Sequence, residues 1–331
     1  MIPYAVSWNI TNKCNLKCKQ CNLEFNNEIY NELSYDECLK VIDDLAENKV
    51  FLISFTGGEP LVRKDLKDLI SYAHSKRITT CIATNGLLLD DDFLKHIKSN
   101  GTTAIGISLD SFIRDKNDSI RGFKTYDRII NAIKIAINYG INVIISVVIN
   151  RNNIKELPDF LSSAYSLGCK RVKVQVEIQK NKGKYNLSLN SDELEYVGKV
   201  CGEFCNTISN DDYIVFCCYT NYLKGYFRSG ITSSNCNAGF KRINILANGD
   251  LRICELLEES VIGNLKNEKF KNIWNNSALV KKWNEVHVLG EKCIGCNQSN
   301  ICKGGCPIFS TNKSSMRFYN DINCKINSIG Y

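Results

Sequence analysis

Three cysteines stand close together near the beginning of the chain. The segment "NKCNLKCKQC" places Cys14, Cys18 and Cys21 within eight positions, and the next cysteine is Cys38. Iron-sulfur clusters and structural zinc sites are usually closed by four protein ligands, so this group is one ligand short. A four-iron cluster held by three thiolates leaves one iron open to an exogenous ligand, as a catalytic zinc keeps one open position. The spacing therefore predicts a reactive metal centre.

A second and larger group of cysteines lies toward the end of the chain. Four of them follow one another at short intervals: Cys293, Cys296, Cys302 and Cys306. Pro307 comes next, as in a bacterial ferredoxin run whose last cysteine ligates a different cluster. On that pattern Cys324 is the fourth ligand of the cluster bound by Cys293, Cys296 and Cys302. Cys306 is then a ligand of a different cluster, together with Cys236 and Cys254. The run has a single C-x2-C pair where zinc sites usually have two, which favours iron-sulfur ligation.

The composition restricts the compartment and the partners. The 331 residues include 17 cysteines, and the beginning of the chain shows no signal-peptide pattern. We therefore predict a cytoplasmic protein with no membrane partner, whose cysteines serve metal or redox chemistry instead of disulfides. The net charge is +7, but the lysines are spread along the chain. That distribution argues against nucleic acid as a partner.

The elements that must position the first cysteines alternate between strands and helices. Six β-rich segments come first: "YAVSWNI", "VFLISF", "ITTCIAT", "TTAIGISL", "NVIISVVI" and "RVKVQVEI". Helices are predicted to begin near Ser34, Asp65, Asp90, Thr125, Lys155 and Ser191. Repeated βα units imply a parallel sheet with right-handed crossovers. We predict an α/β fold with a partial (β/α)6 TIM-like barrel, which binds ligands at the carboxyl ends of its strands.

The alternation stops after about residue 210. The segment "FKRINILANGDLRIC" predicts a β-hairpin in which Asn248 and Gly249 supply the positive φ angles of a tight turn. The rest of the chain is rich in Cys, Gly and Asn. Such a segment buries little apolar surface, so we expect bound metal to stabilise its fold.

Two motifs closely resemble those of the radical S-adenosylmethionine (SAM) superfamily. Cys14-x3-Cys18-x2-Cys21 follows the first predicted strand, and "GGEP" at 57–60 follows the second. The pattern of cysteines from Cys236 to Cys324 resembles that of the SPASM subfamily. The resemblance implies SAM and three 4Fe-4S clusters, one of which binds SAM while two are auxiliary. It also implies reductive cleavage of SAM to a 5'-deoxyadenosyl radical, which abstracts hydrogen from a substrate.

The same resemblance divides the chain into three parts. Residues 1–208 would form the radical SAM partial barrel, and residues 209–235 a bridging segment. Residues 236–331 would form a small Cys-rich SPASM domain with the hairpin and the two auxiliary clusters.

The loop after the second strand is expected to contact SAM. Backbone groups of Gly57, Gly58 and Glu59 resemble those that bind the methionine amine, and the two glycines allow close approach. The chain departs from the family at Gln20, because the residue before the third cysteine is often aromatic and packs near the adenine.

Other polar residues at strand ends are assigned by the same resemblance. Ser108 and Asp110 resemble contacts to the ribose and the methionine. Arg121 resembles the arginine that pairs with the methionine carboxylate through its planar fork. Polar loop caps are an equally good interpretation of three further candidates, Thr84, Asn85 and Asn150.

Cys217 and Cys218 carry two alternative predictions. They precede the SPASM pattern, where family members often take a fourth ligand for the first auxiliary cluster. The alternative is a thiol that donates a hydrogen atom to a substrate radical, as in peptide epimerases of the superfamily. Other cysteines are predicted to pack in the core, namely Cys38, Cys81, Cys201 and Cys205.

The resemblance favours an enzyme that modifies a ribosomally synthesised peptide by crosslinking, dehydrogenation or epimerisation. The alternative is oxidation of a small molecule, such as a porphyrin side chain or an amino-sugar alcohol. The cluster chemistry implies an electron donor such as flavodoxin or ferredoxin. The first predicted strand begins at Tyr4, so leader recognition is expected to need a separate protein or the barrel mouth itself.

Overall fold

A computed structural model describes residues 2–21, 31–177, 188–216 and 238–284 of the chain. The chain divides into two compact units, one formed by Met1–Ile145 with Ala238–Asn284 and the other by Ser146–Asn237 with Glu285–Tyr331. Each unit contains parallel strands together with helices. The predicted α/β fold with parallel strands is therefore confirmed.

The amino-terminal part of the first unit alternates strands and helices. In chain order it contains β1 (Ala5–Thr11), α1 (Tyr35–Glu47), β2 (Leu52–Gly57), a 3-10 turn (Pro60–Val62), α2 (Leu66–Ser75), β3 (Thr79–Thr84), α3 (Asp91–Ser99), β4 (Thr102–Ser108), α4 (Arg114–Arg121) and α5 (Tyr126–Asn138). Strands β1 to β4 pair in parallel, each with the next along the chain. Their carboxyl ends, and the loops that follow, therefore lie at one edge of the sheet.

The second unit contains the next strands and helices. Strand β5 (Val143–Ile149) begins in the first unit and ends in the second, and the following elements are a 3-10 turn (Ile154–Glu156), α6 (Leu157–Ser166), β6 (Arg171–Val176), α7 (Ser191–Thr207) and β7 (Ile214–Phe216). Strands β6 and β7 pair in parallel. The rings of Tyr165, Phe204 and Tyr213 lie 5.5 to 6.1 Å apart and pack α6 against α7.

The chain returns to the first unit with residues 238–284. This part contains β8 (Arg242–Ile245), β9 (Asp250–Arg252), a 3-10 turn (Glu258–Ser260), β10 (Val261–Asn264), α8 (Phe270–Asn276) and α9 (Ala278–Asn284). Strand β8 pairs in parallel with β1, with Arg242 opposite Ala5, and β9 and β10 continue antiparallel. The strand order of this unit is β10-β9-β8-β1-β2-β3-β4. Strand β1 therefore has a neighbour on each side, and all seven of its residues are buried.

The predicted hairpin is confirmed, but its turn is different from the prediction. Gly249 has a φ of +89°, whereas Asn248 is not among the residues with positive φ. The amide of Gly249 donates to the carbonyl of Leu246 at 2.9 Å, and the amide of Leu246 donates to the carbonyl of Asp250 at 2.9 Å. A longer connection of this kind needs one glycine in the left-handed region instead of two such residues.

Most predicted helix starts agree with the structure. The hydroxyl of Ser34 accepts from the amide of Glu37 at 3.3 Å, and the Glu37 carboxylate accepts from the amide of Ser34 at 2.7 Å. Asn190 caps α7 in the same way, one residue before the predicted start at Ser191. Within the described ranges, no helix is long and apolar enough to cross a membrane.

Candidate active site

The three amino-terminal cysteines lie on the loop that follows β1, here called the cysteine loop (residues 12–21). Cys14 and Cys18 are half-buried, and Cys21 is exposed. The Cys14 sulfur accepts from the amide of Leu16 at 3.4 Å, and the Cys21 amide donates to the Cys18 carbonyl at 3.2 Å. The loop stands at the sheet edge where ligand sites of parallel α/β folds are found.

The three sulfurs have the chemistry of cluster ligands. Burial is the main factor that raises the pKa of Cys14 and Cys18, and each of these two pKa values is also raised by the neighbouring loop thiols. Arg121 partly opposes this effect at Cys18. The raised pKa values keep the Cys14 and Cys18 sulfurs protonated without metal, and ligation would release these protons. No three metal-ligating side chains of the described residues converge on a single ion, whereas a four-iron cluster binds each cysteine through a different iron.

The loop after β2 holds the cysteine loop by backbone hydrogen bonds. The amide of Gly58 donates to the carbonyl of Thr11 at 2.9 Å, and the amide of Glu59 donates to the carbonyl of Lys13 at 2.8 Å. A Cβ atom at Gly57 would lie 2.3 Å from the Thr11 oxygen, and one at Gly58 would lie 2.3 Å from the Lys13 oxygen. The contact between the two loops therefore requires both glycines, whether or not a ligand also approaches them.

The Glu59 carboxylate connects the loop after β2 to the end of β3. It is fully buried and accepts from the Thr84 hydroxyl at 2.7 Å, the Asn85 amide at 2.7 Å and the Leu61 amide at 3.0 Å. Burial raises the pKa of Glu59, and these hydrogen bonds act against the increase. The Asn85 side chain donates to the side-chain oxygen of Asn15 at 2.7 Å, next to Cys14. The predicted residues Glu59, Thr84 and Asn85 thus support the cysteine loop with their side chains.

The end of β4 and helix α4 form the third contact with the cysteine loop. Asp110 and Arg121 are buried, and Nε of Arg121 lies 2.7 Å from Oδ2 of Asp110. The Gln20 side chain donates to the same carboxylate oxygen. The amide of Lys19 donates to the Ile120 carbonyl at 2.9 Å, and the Cys18 sulfur lies 3.8 Å from the Arg121 carbonyl oxygen.

This third contact leaves hydrogen-bonding capacity beside the cysteines. The Nε atom of Arg121 is close to Asp110, but its N–H group makes no hydrogen bond with a described residue. The Oε1 atom of Gln20 is also buried without a hydrogen-bond partner among the described residues. Ser108 is half-buried, and its hydroxyl has no hydrogen bond within the same residues. Buried polar atoms are normally satisfied, so unused ones beside a metal-ligating loop fit a polar cofactor that pairs with them. The residues present therefore fit SAM together with a cluster.

Asn150 lies in the second unit, where its side chain serves a turn. Its side-chain nitrogen donates to the Glu177 carboxylate at 2.6 Å, and its side-chain oxygen accepts from the amide of Asn152 at 2.9 Å. Its own amide donates to the side chain of Asn153 at 2.8 Å. These contacts match the polar-cap alternative, and the assignment of Asn150 to SAM stays a prediction.

Cys254 is the one predicted auxiliary-cluster ligand within the described residues. It is half-buried and lies two positions after the end of β9. The buried hydroxyl of Ser260 donates to the Cys254 carbonyl at 3.0 Å and accepts from the Cys254 amide at 3.2 Å. The other predicted residues lie outside the described ranges: Cys217, Cys218, Cys236, Cys293, Cys296, Cys302, Cys306 and Cys324.

The remaining cysteines mostly occupy the core, as predicted. Cys38, Cys201 and Cys205 are fully buried, and Cys169 is also buried. Cys81 is an exception, because it is half-exposed and its sulfur lies 3.4 Å from the Thr103 hydroxyl. The prediction of a core thiol at Cys81 was therefore only partly right, since its strand position faces a polar neighbour.

The site contains supporting residues that the sequence did not reveal. Asn15 bridges the cysteine loop to β3, and the Glu32 carboxylate accepts from the Thr11 hydroxyl at 2.9 Å and the Asn12 amide at 2.7 Å. Asn117 accepts from the Asp110 amide at 3.2 Å. Each of these partners is distant in sequence or lies on an unpredicted helix, so no local pattern identifies them.

Comparison with known proteins yields two family matches. A sequence profile of the radical SAM superfamily matches residues 8–164. A profile described as an iron-sulfur cluster-binding domain, SPASM, matches residues 236–306.

Individual relatives point to two kinds of activity. The Fe-coproporphyrin III synthase of Methanosarcina barkeri is 41% identical over 156 residues, which cover 46% of this chain and 39% of that protein. The chain thus matches well under half the length of that relative. The mycofactocin maturase MftC of Mycobacterium tuberculosis is 27% identical over 92% of this chain and 78% of its own length.

Solved structures share the fold. Streptococcus suis SuiB, solved in complex with the precursor peptide SuiA, superposes with a TM-score of 0.81 and 19% identity. The superposition covers 97% of this chain and 76% of SuiB.

Proposed function

We propose that this chain, which belongs to the radical SAM superfamily and carries a SPASM domain, is an enzyme that modifies a ribosomally synthesised peptide. One observation carries the proposal. The cysteine loop is fixed at the carboxyl ends of β1 to β4 by hydrogen bonds from three neighbouring loops, beside buried polar atoms that lack a hydrogen bond within the described residues. Such an arrangement suits a cluster that must hold a polar cofactor in one orientation.

SAM bound to a four-iron cluster supplies a 5'-deoxyadenosyl radical when one electron cleaves its sulfonium bond. The chain's own residues would bind and orient these groups. The three loop cysteines would ligate three irons. The Arg121 guanidinium, held by Asp110, would bind the methionine carboxylate, and the free Ser108 hydroxyl would contact the ribose.

The loop after β2 would act in two ways. The amides of Gly58 and Glu59 are already bonded to the cysteine loop, so the carbonyl groups of this segment would accept the methionine amine. Glu59, Thr84 and Asn85 would be positioning residues, because their side chains bind protein groups.

The SPASM domain would bind two further clusters. Cys236, Cys254 and Cys306 would hold the first of them, with Cys217 or Cys218 as a fourth ligand or as a hydrogen-atom donor. A second set would consist of Cys293, Cys296, Cys302 and Cys324. The SPASM match supports the first six cysteines of this pattern, and Cys324 lies beyond the matched residues.

The peptide substrate is supported by the relatives. MftC is a maturase by name and matches 92% of this chain, and SuiB was solved with a precursor peptide. We propose crosslinking, dehydrogenation or epimerisation as the modification. Further partners would be a flavodoxin or ferredoxin as electron donor and a separate leader-recognition protein.

The test is co-expression with small peptides encoded beside the gene, followed by mass spectrometry. Loss of two hydrogens indicates a crosslink or a dehydrogenation. An unchanged mass in water with deuterium uptake from heavy water indicates epimerisation, and then Cys217 and Cys218 are the residues to mutate. The iron content after anaerobic reconstitution should be about twelve per chain, and a value near four would contradict the three-cluster proposal.

The high identity to Fe-coproporphyrin III synthase favours a second candidate, oxidation of a porphyrin side chain. That reaction would use the same cysteine loop and the same SAM contacts. The co-expression test separates the two candidates, because a porphyrin-specific enzyme leaves every neighbouring peptide unchanged. Incubation with reduced cofactors and coproporphyrin, followed by mass spectrometry of the pigment, should then show the oxidised product.

A further inference from the structure

We infer that the exposed surface around the cysteine loop is the docking site of an acidic flavodoxin, which delivers the electron that the first cluster needs. This inference rests on the proposed function, since it assumes that the cysteine loop carries a reducible cluster. It concerns a surface formed by Lys17 and Lys19 of the loop together with Phe123 and Lys124 after α4. These four residues are called the lysine face.

The lysine face is exposed and carries positive charge without partners. Lys17 and Lys19 are exposed, and neither side chain has a hydrogen bond or an ion pair with a described residue. Lys124 is also exposed, and its amine lies 5.1 Å from the centre of the Phe123 ring. Unpaired lysines on a folded surface create a positive potential that attracts an acidic partner and speeds its association.

The acidic groups beside this surface are largely occupied. Asp118 accepts from the backbone amides of Lys124, Thr125 and Tyr126 at 2.7 to 3.1 Å. Asp110 is buried against Arg121. Asp115 is the exposed carboxylate of α4 that remains nearby. The positive groups therefore outnumber the available negative ones on this part of the described surface.

The two halves of the lysine face are held together next to the cysteines. The amide of Lys19 donates to the Ile120 carbonyl at 2.9 Å, and the site of a Cβ atom on Gly122 lies 3.8 Å from the Leu16 side chain. Cys18 lies between Lys17 and Lys19 in sequence, and Cys21 is exposed. A protein bound to this face would contact the loop that holds the cluster, so the path for the electron would be short.

Phe123 gives the reason for choosing a flavin carrier. Its side chain is 84% exposed, the largest value among the exposed large hydrophobic residues described. An exposed aromatic ring among lysines matches an acidic protein that presents the apolar edge of its flavin, because the ring can pack on the flavin while the charges align the proteins. One electron passes from the reduced flavin to the oxidised cluster, and no bond forms or breaks.

The test measures how fast purified, fully reduced flavodoxin reduces the reconstituted protein, followed by stopped-flow absorbance at low salt. The variant Lys17→Glu/Lys19→Glu should reduce the second-order rate constant at least about tenfold, and added salt should slow the natural protein more than the variant. The control Lys95→Glu/Lys134→Glu changes the charge equally on the outer faces of α3 and α5 and should leave the rate unchanged. Equal rates for the test variant and the control would overturn the inference.

Two further measurements separate docking from other effects. Phe123→Ala/Lys124→Glu lies outside the cysteine loop and should slow flavodoxin while leaving the iron content unchanged, so a fault in cluster assembly cannot explain the result. The midpoint potential of the cluster, titrated with viologen dyes, should be the same in Phe123→Ala/Lys124→Glu as in the natural protein. A shifted potential with an unchanged encounter rate would mean that the lysines tune the cluster, and it would overturn the docking site.

A separate measurement, SAM cleavage with a chemical reductant, tests the proposed function. Reduced methyl viologen is a small cation and needs no docking surface, so SAM cleavage with it should be normal in the natural protein and in Phe123→Ala/Lys124→Glu, which lies outside the cysteine loop. If the natural protein fails to cleave SAM with methyl viologen, the proposed function is wrong. If ferredoxin depends on the lysine face and flavodoxin does not, the assignment of a flavin carrier is wrong.

Discussion

The cysteine loop and the buried helix surfaces both contain cysteine, but in opposite surroundings. On the loop, Cys21 is exposed, and hydrogen bonds from three neighbouring loops fix the backbone. In the helices, Cys38 on α1 and Cys201 on α7 are fully buried. Burial raises the pKa of Cys38 to about 12 and raises that of Cys201 as well.

This difference distinguishes the cysteines that can ligate metal from those that pack in the core. A thiol in an apolar core behaves as a small hydrophobic side chain and is unreactive. A thiol on a loop that polar groups hold in place can ligate metal, because the loop does not need it for packing. The number of cysteines in the sequence therefore overstates the number that serve metal, and burial identifies those that do not.

Removal of the loop sulfurs should have the largest effect. The variant Cys14→Ala/Cys18→Ala/Cys21→Ala should lose about four irons per chain and all 5'-deoxyadenosine formation, because no other described residues offer three thiols on one loop. The matched variant Cys201→Ala/Cys205→Ala should keep both properties and lose only stability. Iron analysis and chromatography of the nucleoside products provide the measurement. Residual 5'-deoxyadenosine in the first variant would contradict the comparison.

Loss of the buried guanidinium next to the loop should have the second largest effect. Arg121→Ala should weaken SAM binding to the reconstituted protein about 10- to 100-fold, because it removes a charged donor and leaves the buried Asp110 carboxylate without its positive counter-charge. Arg114→Ala removes an exposed arginine from the same helix, paired with Asp127, and should change the affinity less than about threefold. Equilibrium dialysis with labelled SAM measures both. Equal affinities in the two variants would exclude Arg121 from the SAM site.

A methyl group placed between the loop after β2 and the cysteine loop should displace the cysteine loop. Gly58→Ala would place a Cβ atom 2.3 Å from a backbone oxygen, which cannot move without displacing the loop. We expect a destabilisation of about 1 to 3 kcal/mol in urea and a lower iron content. Gly140→Ala, at a φ of +71° with only an ordinary van der Waals contact to Lys98 Nζ at 3.6 Å, should cost about 1 kcal/mol and leave the iron content unchanged. Normal iron loading in Gly58→Ala would show that the loop contact is dispensable.

The titration of the buried thiols should lower the stability only at alkaline pH. Cys38 titrates near 9 when unfolded and near 12 when folded, so its contribution is complete below pH 9 and is lost as the pH rises toward 12. At pH 10 this loss is about 1.4 kcal/mol. In urea unfolding, the free energy of unfolding should therefore decrease less between pH 8 and pH 10 for Cys38→Val than for the natural protein. Val41→Ala changes a residue on the same helix that does not titrate, so it should retain the full decrease in the free energy of unfolding. An equal decrease between pH 8 and pH 10 in all three proteins would reject the assigned pKa.

Much of the scaffold of the site was predictable because its signals are local. Strands β1 to β6 follow from apolar β-rich runs, and the start of α1 follows from Ser34 and Glu37 at capping-box spacing. The three cysteines of the loop lie close together in the sequence, and the two glycines are consecutive, so each motif can be recognised from the sequence alone. The structure adds that Gly57 meets the end of β1 and that Gly58 meets the cysteine loop itself.

The parts that were missed depend on distant or polar contacts. Helix α4 carries Arg121, but its buried residues, Asn117 and Arg121, are both polar, so it has no apolar periodicity. Gln20 and Asp110 are far apart in sequence, and no local rule links them. The parallel pairing of β8 with β1 is equally remote, and the sequence indicated a hairpin without its place in the sheet.

The position of β1 between β2 and β8 also has a consequence for how the protein is made. Ala5 is synthesised long before its partner Arg242, so the two paired strands are far apart in the order of synthesis. Contacts of such high sequence separation form slowly, and the strand that leads into the cysteine loop lacks one neighbour until then. If Cys14, Cys18 and Cys21 hold a cluster as proposed, we expect its insertion to be a late event that follows the enclosure of this first strand.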